Sequence, residues 1–446
     1  MTAARPAPGP GARRTAYVGA RLIDPDSSLD APGGLLVEAG RIAALGPGVA
    51  PGGDALPDDA AIVDCGGAVL APGLVDMRVR VGAPGEEHKE TIASAADAAA
   101  AGGVTAMACL PDTDPPIDNE AALALVARQA RAEKRVKVYA QACLTKGSAG
   151  ADLAEIGLLA RAGAVAFTDG RRATADAQVM LRALAYASAH GALVIQHPEE
   201  PSLAAGGQMN AGEIATRLGL SGIPREAEVM MVERDLRLVA KTGARYHAAH
   251  VSTPEALDVI AAAKARGLPV TCETAPPYFT LTEVDVGDYR TFAKLSPPLR
   301  TDADRAAVAA AVADGTIDVI ASDHCPQDQD SKRLPFALAE PGAVGLETLL
   351  PLALELYHQE RVTLPDLLAR LTLRPARLLG LDAGRLAVGA PADLVVFDPD
   401  RPWVIDADRL VGKSKNTPYD RRPVMGRVLA TVVDGRPVHD TLSTAG

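Results

Sequence analysis

The chain has 446 residues, of which 48% are hydrophobic and 23% are charged. This length corresponds to roughly three typical domains, and the composition excludes a wholly disordered protein. The net charge is -11, Lys and Arg form no basic stripe, and aromatic residues make up 3%. These features argue against nucleic-acid binding through phosphate neutralisation or base stacking.

The chain begins with a Pro-, Gly- and Arg-rich segment at residues 1–13, which we interpret as a flexible tail. It lacks the apolar core of a secretory signal. Residues 14–70 contain short apolar stretches broken by Gly, Pro and Asp, which predict β-strands and turns. Residues 384–440 show the same pattern of short apolar stretches broken by turn residues. We expect the two segments to form one small composite β-sandwich domain.

Residues 71–383 alternate short apolar runs with Ala-rich segments of helical period, which is typical of a parallel α/β sheet. Eight apolar runs can be counted, at residues 73–81, 104–111, 136–145, 164–169, 192–198, 244–252, 269–276 and 319–326. Eight β/α units in about 300 residues are typical of a TIM barrel. The sequence therefore predicts an α/β fold, with a TIM-type (β/α)8 barrel next to the composite β domain.

Cysteine usage and hydropathy indicate where the protein works. Five cysteines are scattered along the chain without a CxxC pair, which suggests reduced thiols. No apolar run approaches the roughly 18 residues that a membrane span needs. We expect a cytoplasmic protein that binds neither membranes nor nucleic acids.

Polar residues stand at the ends of several predicted barrel strands, where functional residues of this architecture lie. The fourth, fifth, sixth and eighth runs end in two carboxylates and two imidazoles: Asp169, His197, His250 and Asp323. This set is typical of a metal site. The alternative is that they are polar caps held by backbone groups. His247 precedes His250 by three residues, so we expect it on the opposite strand face, packed against helices.

The same residues, with a series of motifs, resemble the dihydroorotase branch of the amidohydrolase superfamily. The matching motifs are APGLVDM (71–77), KETI (89–92), AAAAGGVTAMACLPDT (98–113), MNAGE (209–213), HVST (250–253), SDH (322–324), GLET (345–348), ADLVVFDP (392–399) and KSKNTP (413–418). The resemblance implies a barrel with a composite β-sandwich and zinc-assisted opening or closing of a cyclic amide, in pyrimidine biosynthesis.

This sequence departs from the family pattern at the metal and substrate positions. The family's His-x-His at the end of strand one is Arg78-Val79-Arg80, and arginine offers only donors, so it cannot ligate a cation. Four substrate contacts that the family pattern implies are also replaced, at Gly82, Asp112, Ser296 and Gln327.

The positions that match the family pattern allow two interpretations. The resemblance makes Asp169, His197 and His250 metal ligands and Asp323 a proton-shuttling catalytic carboxylate. These three ligands could hold one Zn²⁺, because three protein ligands plus water is a known zinc arrangement. We favour a metal-free site, in which Arg78 and Arg80 are counter-charges for Asp169 and Asp323, because Arg80 would repel a nearby cation.

Two functions follow from these interpretations. The family includes inactive members that associate with aspartate transcarbamoylase, so the first is a catalytically defective, homo-oligomeric structural partner of that enzyme's catalytic subunit. The second is an active zinc-dependent dihydroorotase, or a related cyclic amidohydrolase, with a single metal. We favour the first, because metal and substrate positions are altered together.

Overall fold

The computed structural model describes residues 14–442, so the predicted tail at residues 1–13 lies outside the described residues. The described chain begins with five strands: β1 (Arg14–Asp24), β2 (Leu29–Glu38), β3 (Arg41–Gly46), β4 (Ala61–Asp64) and β5 (Val69–Pro72). β1 pairs antiparallel with β2 and parallel with β4 and β5. Tyr17, Leu22 and Leu35 of these strands are buried in one apolar cluster.

Nine strands follow in the middle of the chain: β6 (Leu74–Val79), β7 (Val104–Cys109), β8 (Lys137–Ala140), β9 (Leu193–Gln196), β10 (Met209–Asn210), β11 (Gly222–Ile223), β12 (Arg245–Ala248), β13 (Val270–Thr274) and β14 (Val319–Ile320). β6, β7 and β8 form one parallel sheet, and β9, β12, β13 and β14 form another. Both β6 and β7 are buried at every position, as expected for strands that helices cover. β10 and β11 pair separately.

Isolated bridges join the two parallel sheets into a closed barrel. The predicted fourth strand, at residues 164–169, is reduced to Phe167, which bridges Ala142 on one side and Val194 on the other. Val79 bridges His324 and closes the ring. The predicted TIM-type barrel is therefore confirmed, although its fourth strand is minimal.

The chain returns to the first sheet with β15 (Leu394–Val404), β16 (Pro423–Val433) and β17 (Arg436–Asp440). The strand order is β17-β16-β15-β5-β1-β2-β3, with β4 also on β1. β15 pairs antiparallel with β5, and this pairing joins the two ends of the chain. The predicted β-rich unit built from both termini is thus present as an eight-stranded sheet.

Helices separate the barrel strands and cover the barrel: α1 (Ile92–Ala101), α2 (Glu120–Glu133), α3 (Ile156–Ala162), α4 (Ala177–Ala189), α5 (Pro201–Ala204), α6 (Glu213–Leu218), α7 (Glu226–Thr242), α8 (Pro254–Ala265), α9 (Pro277–Thr280), α10 (Asp302–Asp314), α11 (Gln329–Lys332), α12 (Leu349–His358), α13 (Leu364–Leu371) and α14 (Leu373–Leu379). Side chains satisfy the free N–H groups where helices begin; Thr91 and Thr301 form capping boxes. Within residues 14–442, no helix is long and apolar enough to cross a membrane.

Several of the motif residues hold the C-terminal segment onto the barrel. Glu347 accepts hydrogen bonds from the backbone of Val411, and Ser414 donates to the carbonyl of Lys89 at 2.7 Å. The amide of Asn416 donates to the carbonyls of residues 325 and 342. These motif residues therefore have a framework role, which explains their presence in a chain whose strand-one motif is changed.

Candidate active site at the barrel mouth

The barrel brings the predicted residues of strands one, six and eight together at one end. Arg78 lies in β6 and is 1% exposed. His250 and Asp323 follow β12 and β14, and both have positive φ angles, of 32° and 49°. Left-handed backbone is uncommon for residues other than glycine, although His and Asp adopt it more readily than most, and it often accompanies functional sites. The strain therefore coincides with the strand ends at which the sequence predicts the site.

Arg78 is an ionic partner of Asp323. Its Nε donates to Asp323 Oδ1 at 3.2 Å, and its Nη2 donates to the carbonyl of Gly170 at 3.3 Å. Glu273 Oε1 lies 3.9 Å from the same Nε. The prediction that Arg78 supplies a counter-charge for Asp323 agrees with this geometry.

Asp323 also faces an imidazole. His250 Nδ1 lies 3.4 Å from Asp323 Oδ1. Burial raises the pKa of the Asp323 carboxyl, but the charges and hydrogen bonds of His250 and Arg78 outweigh it, so this pKa lies below its ordinary value. A carboxylate held ionised in this way is a weak proton acceptor, because the guanidinium stabilises the charged form.

The two candidate histidine ligands contact each other. His197 Nδ1 lies 2.9 Å from His250 Nε2, and His197 Nε2 lies 3.1 Å from Ser296 Oγ. Burial, followed by the charges of His250, Arg78 and Arg171, lowers the pKa of His197 well below its ordinary value. The His197 ring is therefore neutral at physiological pH. Ser296, expected only as a lost substrate contact, is a partner of this ring.

Asp169 is held by hydroxyl and backbone donors. Its Oδ1 accepts hydrogen bonds from the backbone N–H groups of Leu144 and Thr145, at 3.1 and 2.9 Å. Its Oδ2 accepts from the hydroxyls of Thr145 and Thr174, at 2.7 and 2.9 Å. Burial raises the pKa of Asp169, and these bonds oppose the rise. Asp169 thus corresponds to the alternative of a polar cap held by its neighbours.

The expected pairing of Arg80 with Asp169 or Asp323 is wrong. Arg80 instead donates to Asp112 Oδ2 at 3.0 Å and makes a short contact with Glu86. Arg171 Nε donates to the same oxygen of Asp112 at 3.1 Å. Asp112, which stands where the family pattern implies a substrate contact, is instead engaged by two guanidinium groups. The reason is that Arg80 is long enough to reach the loop after β7.

The remaining substrate positions are also structural. Gly82 has a φ of +72°, and a side chain there would approach Glu86 to 3.2 Å. Gln327 donates to the carbonyl of Pro341 at 3.0 Å and takes part in the packing of the loop after β14. Neither residue offers a group that would bind a substrate carboxylate.

His247 does not face the helices, contrary to the sequence prediction. Its Nδ1 lies 2.8 Å from Thr271 Oγ1, and its Nε2 lies 3.4 Å from Glu273 Oε2. The neighbouring Tyr246 donates to Asp235 of α7 and therefore faces outward. Strand alternation does not extend from His247 to His250, because β12 ends at Ala248 and the chain then turns.

Three residues near the mouth were not predicted: Glu86, Arg171 and Glu273. Glu273 is 1% exposed, and both of its carboxylate oxygens lack a hydrogen bond. A charged residue inside an apolar barrel strand is a signal that could have identified Glu273 as a partner of Arg78. Arg171 follows Asp169 by two residues. It is a charged residue next to the end of a barrel strand, and this position could have identified it as a site residue.

The family implies a zinc ion, and the residues present do not fit one. Asp169 already accepts four hydrogen bonds, which occupy both oxygens. The nearest nitrogens of His197 and His250 are 2.9 Å apart, whereas two ligands of a tetrahedral zinc with bonds near 2.0–2.1 Å are roughly 3.3 Å apart. Within residues 14–442, no group of three His, Cys, Asp or Glu residues is arranged to hold a metal ion.

Comparisons with known proteins agree with the architecture. The family described as Dihydro-orotase-like matches residues 67–256. The L-hydantoinase of Arthrobacter aurescens has a similar structure, with a TM-score of 0.85, 26% identity and 96% coverage of both chains. A dihydropyrimidinase from Brevibacillus agri has a TM-score of 0.84 at 22% identity, covering 96% of this chain and 95% of its own. The latter likeness shows the fold alone.

Relatives of known name align over nearly the whole chain. The dihydroorotase of Geotalea daltonii is 46% identical over 421 residues, which cover 94% of this chain and 98% of that protein. The dihydroorotase of Pelobacter propionicus is 47% identical over 419 residues, with the same coverage. With this identity over this length, the chain belongs to the dihydroorotase family of the amidohydrolase superfamily.

Proposed function

We propose that this chain is a catalytically defective member of the dihydroorotase family that serves as a structural partner in pyrimidine biosynthesis. The observation that carries the proposal is the contact between Arg78 and Asp323, in which a fixed guanidinium occupies the position of a family metal ligand and engages the catalytic carboxylate.

The chemistry of amide-ring opening explains why the contact between Arg78 and Asp323 argues against catalysis. Hydrolysis at neutral pH needs an activated water, and a bound metal lowers the pKa of water from 15.7 to about 7. Without a metal, the side chains of the barrel mouth would have to activate the attacking water by themselves. The ionic partner of Asp323 lowers its pKa, and Asp169 is fully hydrogen-bonded, so neither carboxylate is suited to deprotonate water.

The partner is proposed from the family resemblance. Inactive dihydroorotase-like chains associate with aspartate transcarbamoylase, and we propose the catalytic subunit of that enzyme as the partner here. We also propose that the chain is a homo-oligomer. The framework contacts of Glu347, Ser414 and Asn416 hold the C-terminal segment on the barrel, so the fold is kept although the strand-one motif has changed.

The second candidate is an active dihydroorotase, and the names of the relatives support it better than they support the first. Proteins called dihydroorotase are 46% and 47% identical to this chain over 94% of its length. In that case Asp169, His197 and His250 would hold a single Zn²⁺. Arg78 would have to leave the mouth, because a cation and a guanidinium repel each other at close range.

Activity and assembly distinguish the two candidates. Purified protein should be assayed in both directions, with and without added Zn²⁺, beside a dihydroorotase that has His-x-His at strand one. The first candidate predicts no turnover and co-elution with the transcarbamoylase catalytic chain encoded in the same genome. Zinc-dependent turnover would establish the second. Lack of both turnover and co-elution would contradict the proposed partner.

A further inference from the structure

A cavity of about 570 Å³ lies outside the barrel mouth, beside β15, β16 and the start of α12. Four arginines line it: Arg401, Arg409, Arg421 and Arg427. Its volume is within the range of about 300–1,000 Å³ that is usual for small-molecule sites. The residues of the mouth, such as Arg78 and Asp323, do not line it, so it is separate from the site already described.

Three of these arginines are not neutralised by carboxylates. Arg421 lies 3.4 Å from Asp406, but among residues 14–442 the side chains of Arg401, Arg409 and Arg427 form no salt bridge. Arg427 stacks over the ring of Trp403, 4.6 Å from its centroid. Burial and the charges of Arg401 and Arg409 lower the pKa of Arg427, and the charge of Glu347, which makes no salt bridge with it, opposes this only in part. The three positive charges therefore act on each other, in a chain with a net charge of -11.

The two acidic residues of the cavity have other partners. Glu347 accepts hydrogen bonds from the backbone N–H groups of Val411 and Gly412, at 2.8 and 3.0 Å. Burial raises its pKa, and these bonds oppose the rise. Asp406 faces Arg421 and accepts from the backbone of Asp408. The carboxylates are thus engaged and leave an excess of positive charge.

The cavity also has an apolar side. Pro402, Trp403, Val404 and Val411 line it, and Val404 and Val411 are each 52% exposed. Exposed apolar side chains beside unpaired guanidinium groups match a ligand with an anionic and an organic part. Arginine is well suited to the anionic part, because its planar fork binds phosphate oxygens bidentately.

We propose that this cavity binds a phosphorylated small molecule of nucleotide size, with its phosphates on Arg401, Arg409 and Arg427 and its organic part against Trp403, Val404 and Val411. The inference does not depend on whether the barrel mouth is catalytic. A concave site of this size fits a small ligand better than the broad, flatter surface of a protein interface.

Trp403 is the only tryptophan of the 446 residues, so its fluorescence reports on this cavity alone. The full-length protein should be titrated with tripolyphosphate and with ATP, excited at the red edge of tryptophan absorption to avoid the nucleotide. We expect a saturable change with half-saturation below about 1 mM, which corresponds to a weak but specific site. ATP should bind more tightly than tripolyphosphate, because its organic part adds apolar contacts.

The double variant Arg401→Gln/Arg409→Gln should raise the half-saturating concentration at least tenfold. Both side chains are exposed, so the fold should be retained, and circular dichroism checks this. The matched control is Arg128→Gln/Arg131→Gln, which removes two exposed arginines of α2 and should leave the curve unchanged. Calorimetry with the same ligands measures the heat of binding, so it detects binding that leaves the fluorescence of Trp403 unchanged.

Three results would overturn the proposal. One is the lack of both a fluorescence change and binding heat at millimolar ligand. Another is an equal loss of binding in the two double variants, which would indicate a general charge effect. The third is tight binding of poly-glutamate without a response to the phosphates, which would assign the surface to an acidic protein.

Discussion

Arg78 Nε lies 3.2 Å from Asp323 Oδ1, so the first and last strands of the barrel are joined by an ion pair at its mouth. The side chain of Arg78 is 2% exposed and that of Asp323 is 19% exposed. A pair as buried as this one restricts what the mouth can do, because neither charge can leave its partner without a free-energy cost.

Removing the guanidinium should destabilise the protein. Arg78→Ala leaves Asp323 and Glu273 without their guanidinium partner, and the loss of one partner of a buried pair costs about 3 kcal/mol or more. Asp323→Asn in that background should recover part of the loss. Denaturant unfolding of the four proteins in a double-mutant cycle measures the coupling. Arg128→Ala on α2 is the exposed control, expected within about 0.5 kcal/mol of the parent.

Arg80 should couple to Asp112 and not to Asp169. In a cycle of Arg80→Ala with Asp112→Asn, the two effects should be non-additive by about 0.5 kcal/mol or more, because the residues are in contact. In the cycle of Arg80→Ala with Asp169→Asn, additivity should hold within about 0.5 kcal/mol. The opposite pattern would mean that Arg80 points into the mouth, and a metal-free site would then have to be reconsidered.

Asp235 should make stability depend on pH. Burial raises its pKa to about 6, against the ion pair with Arg234 and the hydrogen bond from Tyr246. The folded protein therefore holds this proton more tightly than the unfolded chain, and the contribution to stability is lost as pH rises from about 4 to 6. The free energy of unfolding of Asp235→Asn, relative to the parent, should increase between pH 4.5 and pH 7. An unchanged difference would show that Asp235 is ionised at both values.

Restoring the family motif separates metal binding from turnover. We expect the purified parent to hold much less than one equivalent of zinc by elemental analysis. Arg78→His/Arg80→His should gain zinc, because imidazole is a metal ligand and the two guanidinium charges are removed. It should not regain full turnover, because Gly82, Asp112, Ser296 and Gln327 remain altered. One or two ions per chain in the parent, resistant to a mild chelator, would refute the metal-free site.

The sequence predicted the barrel and the convergence of the site residues, because both depend on strand order. Asp169, His197, His250 and Asp323 stand at strand ends, and parallel strands bring those ends to one side. The ionic partner of Arg80 could not be predicted, because its long side chain reaches a loop carboxylate whose position depends on the whole fold. The orientation of His247 was missed, because the alternation rule fails where β12 ends.

The central claim is that Arg78 and its ion pair with Asp323 leave the mouth without dihydroorotase activity. The most direct test is the rate at which the purified wild-type chain hydrolyses dihydroorotate in the presence of saturating Zn²⁺. We predict a rate that cannot be distinguished from that of a protein-free control. A rate within tenfold of a dihydroorotase with intact His-x-His would contradict the account and establish this chain as a working enzyme.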